Sequence, residues 1–162
     1  MPFDLMPRSA AVCVVALLTS LAASNVVAEA DETRAQVNLL PKYRQECATC
    51  HLAYPPGMLP AASWQRILGN MSHHFGTDAS LDADSVKQIS TWLAAHSSGD
   101  AGRRAAPPED RITRSTWFRQ EHAEASASVW KRPMVRSASN CAACHTHAEQ
   151  GNFDEHFIRI PQ

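Results

Sequence analysis

The stretch CATCH, Cys47–His51, returns as CAACH at Cys141–His145. With 5 Cys and 8 His in 162 residues, chance accounts for roughly 0.008 occurrences of this C-x-x-C-H pattern, which is the attachment signature of c-type haem. The spacing has a chemical reason. Two thiols add across the two vinyl groups on one edge of a porphyrin, and a single helical turn brings both sulfurs to that edge. The histidine directly after the second cysteine then lies under the iron and supplies its proximal nitrogen. Cys47, Cys50, Cys141 and Cys144 are therefore the expected attachment points of two covalent haem c groups, with His51 and His145 as proximal ligands. A zinc site made from all four thiolates has no need of an adjacent histidine in both copies. A thioredoxin-like redox pair occurs once, beside a βαβ pattern that is absent here.

Ahead of the first motif, residues 1–28 have the form of a secretory signal: Arg8, an apolar run over Ala10–Ala23, and small residues for cleavage after Ala28 or Ala30. The run is shorter than the ~20 residues that span a bilayer. Cys13 lies inside it, and Val12 before that cysteine argues against a lipid anchor. Export fits the remaining cysteines, all of which the two motifs use, and the expected location is the periplasm. The net charge is −1, which disfavours nucleic acid as a partner. Between Arg103 and Arg136, however, eight Lys/Arg stand against four Asp/Glu, either as solvated helix faces or as a docking surface for an acidic redox partner.

The Ser-, Gly- and Pro-rich stretch Ser97–Asp110 divides the rest into halves with one motif each. The expected organisation is a signal (1–28), a first haem domain (29–98), a linker (99–110) and a second haem domain (111–162). Domains this small are marginal on their own cores, and a buried haem supplies apolar volume and a covalent staple. The patterning is all-α. A short helix leads into Cys47, with Pro41 in its first turn, and Ala53–Pro60 forms a proline loop. Ser63 is the expected N-cap of a helix running to Phe75, with Trp64, Ile67, Leu68, Met71, His74 and Phe75 on one stripe, and Gly76 ends it. A further helix runs from Asp82 or Asp84 to His96 with Val86, Ile89 and Leu93 inward. In the second half one main helix is expected from Ser115 to Val129, followed by irregular chain. Trp64 and Trp117 open corresponding helices and are expected to cover the porphyrin edges.

The distal side of each iron decides function, since an open face permits binding and catalysis whereas two strong protein ligands leave electron transfer. His74 lies on an apolar stripe, with Met71 and His96 as alternatives. His122 lies on the inward face of the second half's long helix, with His156 as the alternative. No G-x-S-x-G, H-E-x-x-H or Gly-rich phosphate loop is present.

The blocks CATCHLAYPPGMLPAASWQ, HFGTDASLD, WFRQEH, VWKRP, NCAACH and FDEHFIRIP resemble the diheme cytochrome c family of bacterial periplasmic electron carriers, over about Tyr43 to Pro161. The resemblance implies a first domain similar to class I cytochromes c and a smaller second domain peculiar to the family. It implies bis-histidine, low-spin haems, with the histidine of HFG at His74 and that of WFRQEH at His122. It also implies a membrane b-type cytochrome as electron donor and, in some members, a soluble monohaem cytochrome as acceptor. The main expectation is an electron-transfer protein with no small-molecule substrate and no enzymatic activity. The rival expectation is a small haem peroxidase or ligand-binding protein with one open distal face.

Overall fold

Helix α1, Pro41–Cys47, opens with its proline in the first turn, where a missing N–H costs nothing, and carries a Lys42–Glu46 ion pair of 2.9 Å along its exposed side. This computed structural model describes residues 38–98 and 105–162, which belong to a single compact unit. The expected export signal with Cys13, and residues 99–104 of the expected linker, lie outside the described residues.

The proline loop after the first motif contains one tight turn, Pro56–Met58. Helix α2 then spans Ala61–Leu68, beginning about one turn earlier and ending about two turns earlier than the expected helix, capped by Ser63 and running to Phe75. The Pro60 carbonyl accepts from the N–H groups of both Ser63 and Trp64, so helical bonding begins ahead of Ser63, which is buried inside the helix. At the other end Gly69 and Asn70, both poor helix formers, let the chain leave the α-helix. A separate turn, Met71–His73, follows and is pinned by the Ala79 N–H on the Met71 carbonyl at 2.9 Å. Phe75 and Gly76 then take positive φ values of 52° and 101°. The glycine has the freedom that this conformation requires, whereas Phe75 adopts it at a cost in strain.

Helix α3, Ala83–His96, begins as expected: the Asp82 carboxylate accepts from the Ser85 N–H at 2.9 Å and the Ser85 hydroxyl at 2.6 Å. Ile89 and Leu93, four apart on one face, are fully buried; Val86, expected inward with them, is half-buried. They join Tyr43, Ala53, Leu59, Trp64 and Leu68 in a core where α1, α2 and α3 meet.

The second half differs more from expectation. In place of one helix over Ser115–Val129 there are two short ones, α4 at Thr116–Glu121 and α5 at Ala127–Trp130. Ser115 caps α4 through the Phe118 N–H at 3.2 Å. The chain turns at His122, whose carbonyl accepts from Ala125, and restarts at Ser126 in an extended conformation. The break lets the Trp130 indole fold back, its Nε1–H donating to the Ala125 carbonyl at 3.2 Å. Beyond α5 the chain runs through short turns at Cys141–Ala143, Ala148–Gln150 and Glu155–Phe157. The terminal segment lies against the second motif: the Arg159 N–H donates to Cys144 and the Thr146 N–H to Phe157. Among the described residues there is no strand, only isolated bridges such as His145 with Ile158, and the fold is all-α.

The halves meet through specific contacts. Arg66 forks onto both carboxylate oxygens of Asp110 at 2.6 and 2.8 Å, so the end of the expected linker is anchored to α2. The Arg111 guanidinium lies 4.5 Å over the Phe75 ring, and the Tyr54 hydroxyl donates to the Ser139 carbonyl at 2.8 Å.

Candidate haem sites

The end of α1 delivers Cys47, Cys50 and His51. The His51 Nδ1–H donates to the Leu52 carbonyl at 2.6 Å, which sets the tautomer and leaves Nε2 as the lone-pair nitrogen. Opposite it stands His74, brought there by the Met71–His73 turn rather than by a continuous helix. The two ring centres are 6.0 Å apart and the planes are within 19° of parallel. In the second half His122, at the C-terminal end of α4, donates Nδ1–H to the Phe118 carbonyl at 2.8 Å. Its ring centre lies 6.0 Å from that of His145, with the planes at 72°.

That common separation is informative. An imidazole nitrogen binds a transition metal at about 2 Å and its ring centre lies about 1 Å further back, so imidazoles on opposite faces of one iron have centres about 6 Å apart. Direct imidazole stacking would bring the rings closer. Burial, and then the neighbouring His51, hold His74 below the usual imidazole pKa; burial, and then His122, do the same for His145. Both are thus neutral at pH 7, the form that binds metal. Nδ1 of His74 and Nδ1 of His145 are buried without a hydrogen-bond partner.

The thiols have the opposite character from activated redox cysteines. Burial, with Glu46 adding to it, pushes Cys47 up to about 11, and burial raises Cys141 and Cys144. The four cysteines form no disulfide, and among the described residues no group of three or more His, Cys, Asp or Glu side chains converges as zinc requires.

The alternative ligands are held elsewhere. His96 donates to the Trp92 carbonyl at 2.8 Å and stacks on that indole, while Met71 packs against the first core. The His156 side chain is 81% exposed and paired with Asp154 at 2.6 Å. Trp64, expected at a porphyrin edge, is instead a core residue whose Nε1–H donates to the Pro56 carbonyl at 2.8 Å. The aromatic side chains around the second pair are Phe118, 4.1 Å from the His122 ring, Trp130 at 5.7 Å, and Phe153 against His145 at 5.3 Å. At the first pair Tyr54 lies 5.0 Å from His51 at 22°, with burial pushing its phenol up to about 12. Sequence reasoning missed Tyr54; its only signal is its position three residues after His51, directly before two prolines.

The sequence profile of the family described as dihaem cytochrome c matches residues 43–153. The chain belongs to the dihaem cytochrome c family. It is similar to a dihaem cytochrome c from Rhodobacter sphaeroides, at 43% identity over 70% of this chain and 96% of that one, with a TM-score of 0.62. A second structure from that organism gives 41% identity over 74% and 100%, with a TM-score of 0.65. A dihaem c-type cytochrome from Shewanella baltica OS155 gives 36% identity over 75% and 92%, with a TM-score of 0.66. No curated protein sequence matches the chain. As a dihaem cytochrome c the protein carries two covalently bound haem c groups, and it is an electron-transfer haem protein.

Proposed function

We propose that this cytochrome is a periplasmic carrier of single electrons in which both irons are closed by histidine on both faces. Cys47 and Cys50 would hold the first haem, with His51 and His74 binding its iron; Cys141 and Cys144 would hold the second, with His145 and His122 binding its iron. The first haem domain then occupies 29–98 and the second 111–162. The observation that carries this reading is the 6.0 Å ring separation found in both histidine pairs. Haem supplies the ferric/ferrous couple. The chain holds the imidazoles in place, directs Nε2 of His51 and His122 by their Nδ1–H bonds to main-chain carbonyls, and surrounds the second pair with aromatic rings. With imidazole on both faces no coordination position is left for a substrate, so the protein performs no reaction of its own. Ligation by two imidazoles, lacking the methionine that raises potential, gives low potentials.

A membrane b-type cytochrome donates the electrons and a soluble monohaem cytochrome accepts them. The surface supports transient rather than permanent docking. Arg111 and Arg114 are paired with the Glu109 carboxylate, which moderates the basic stretch. Encounters are therefore small and salt-sensitive.

The test is electron paramagnetic resonance of the oxidised holoprotein with carbon monoxide difference spectra of the reduced form. The expected result is two low-spin bis-imidazole signals and no carbon monoxide shift. A high-spin signal or a carbon monoxide complex at either iron overturns the reading in favour of a ligand-binding or peroxidatic haem.

A further inference from the structure

We propose that Tyr54 is the positioning residue that sets the two haem segments against each other and provides the electronic contact between them. The proposal rests on the assignment of His51 and Cys141 to the two haems. The Tyr54 ring lies along the His51 imidazole, 5.0 Å away and within 22° of parallel. Its hydroxyl donates to the main-chain carbonyl of Ser139 at 2.8 Å, across 85 positions of sequence. The same carbonyl oxygen lies 3.7 Å from Sγ of Cys141. The run from first axial imidazole to second attachment sulfur is thus one ring contact, one phenol, one hydrogen bond and one van der Waals contact.

Tyr54 is also held where it stands. Its carbonyl accepts from the Tyr43 hydroxyl at 2.8 Å, and Tyr43 is buried in the core between Trp64 and Trp92. Pro55 and Pro56 follow directly, and the Pro56 carbonyl accepts from Trp64. A phenylalanine here fills the same space beside His51; only the hydroxyl reaches the second half. One electron passes from the ferrous first iron to the ferric second iron. One iron is oxidised and the other reduced, no bond forms or breaks, and the phenol keeps its proton throughout.

The experiment compares wild-type, Tyr54→Phe and Tyr54→Leu holoproteins. The electron exchange rate between the haems is measured by exchange spectroscopy on half-reduced protein, alongside paramagnetic resonance and reduction potentials. The expected result is exchange several-fold slower in Tyr54→Phe and slower again in Tyr54→Leu, with the ligand-pair signals and potentials unchanged. A purely packing role leaves the exchange rate unchanged in the Phe variant, which therefore carries the test if the Leu variant does not fold. Wild-type exchange in Tyr54→Phe overturns the proposal. So does slowing that tracks a shift in potential, because driving force then accounts for it. A wild-type spectrum without two bis-imidazole signals instead overturns the haem-site assignment, and this proposal with it.

Discussion

At the scale of single residues, the two imidazoles of each pair are not equivalent. His51 and His122 each donate Nδ1–H to a carbonyl, whereas Nδ1 of His74 and of His145 is buried without a partner. A hydrogen-bonded imidazole is the more basic and better oriented ligand, so His74 is the weaker member of its pair. Replacing His74 with Ala is expected to give a high-spin, carbon monoxide-binding haem at one of the two irons while the other stays low-spin. Loss of both low-spin signals, or of neither, contradicts the pairing. The ring planes make a second prediction. Near-parallel imidazoles, as at 19°, split the iron d orbitals strongly, whereas planes at 72° leave two of them close in energy. The oxidised protein should therefore show two unlike low-spin resonances, the more anisotropic one belonging to the His122–His145 pair. Its loss on replacing His122 assigns it, and two identical signals count against the geometry.

At the scale of elements, short helices and turns place the paired histidines, and their caps matter accordingly. Helix α4 has six residues, too few to hold itself by propagation alone. Ser115 is buried, accepts from the Phe118 N–H and donates to the Ile112 carbonyl at 2.7 Å. Ser115→Ala is expected to cost about 1 kcal/mol of stability, and to broaden the second haem's resonance because Phe118 and His122 ride on the same helix. Urea unfolding and the resonance linewidth check the two parts separately. Helix α3, with fourteen residues, its own acidic cap and two fully buried side chains, is the firmer platform. Ile89→Ala there is expected to cost about 2–5 kcal/mol as a core cavity.

At the scale of the molecule, the contacts that join the two halves include an ionic one, Arg66 with Asp110. The Arg66 hydrogen bonds hold the Asp110 carboxyl below its usual pKa. A folded-state value below the unfolded one means that this stabilisation is complete above about pH 4 and is lost as pH falls through the depressed value. Asp110→Asn should therefore be less stable than wild type at pH 7, and the two should converge in acid. The difference should be small, since the Arg66 side chain is 54% exposed. Denaturation at pH 7 and at pH 3 provides the comparison; a gap that widens in acid reverses the sign and excludes the ion pair as its source.

Features that depend on local chemistry are legible in the residues alone. Thioether spacing and the adjacent histidine are properties of five consecutive residues, so both haem motifs were legible without a fold. Helix α1 with its proline and α3 with its Asp82 cap were legible for the same reason. His74 and His122 also fall on apolar stripes of the sequence, although the continuous helices those stripes imply are broken at Gly69–Asn70 and at His122–Ser126. Those breaks are tertiary decisions. Leaving the helix after Leu68 carries His74 to a point opposite His51, and restarting at Ser126 folds Trp130 back beside His122, neither of which periodicity can express. The 6.0 Å separations, the burial of Trp64 and the reach of Tyr54 to Ser139 join residues far apart along the chain. Contacts of that kind exist only once the core has set the distances between elements.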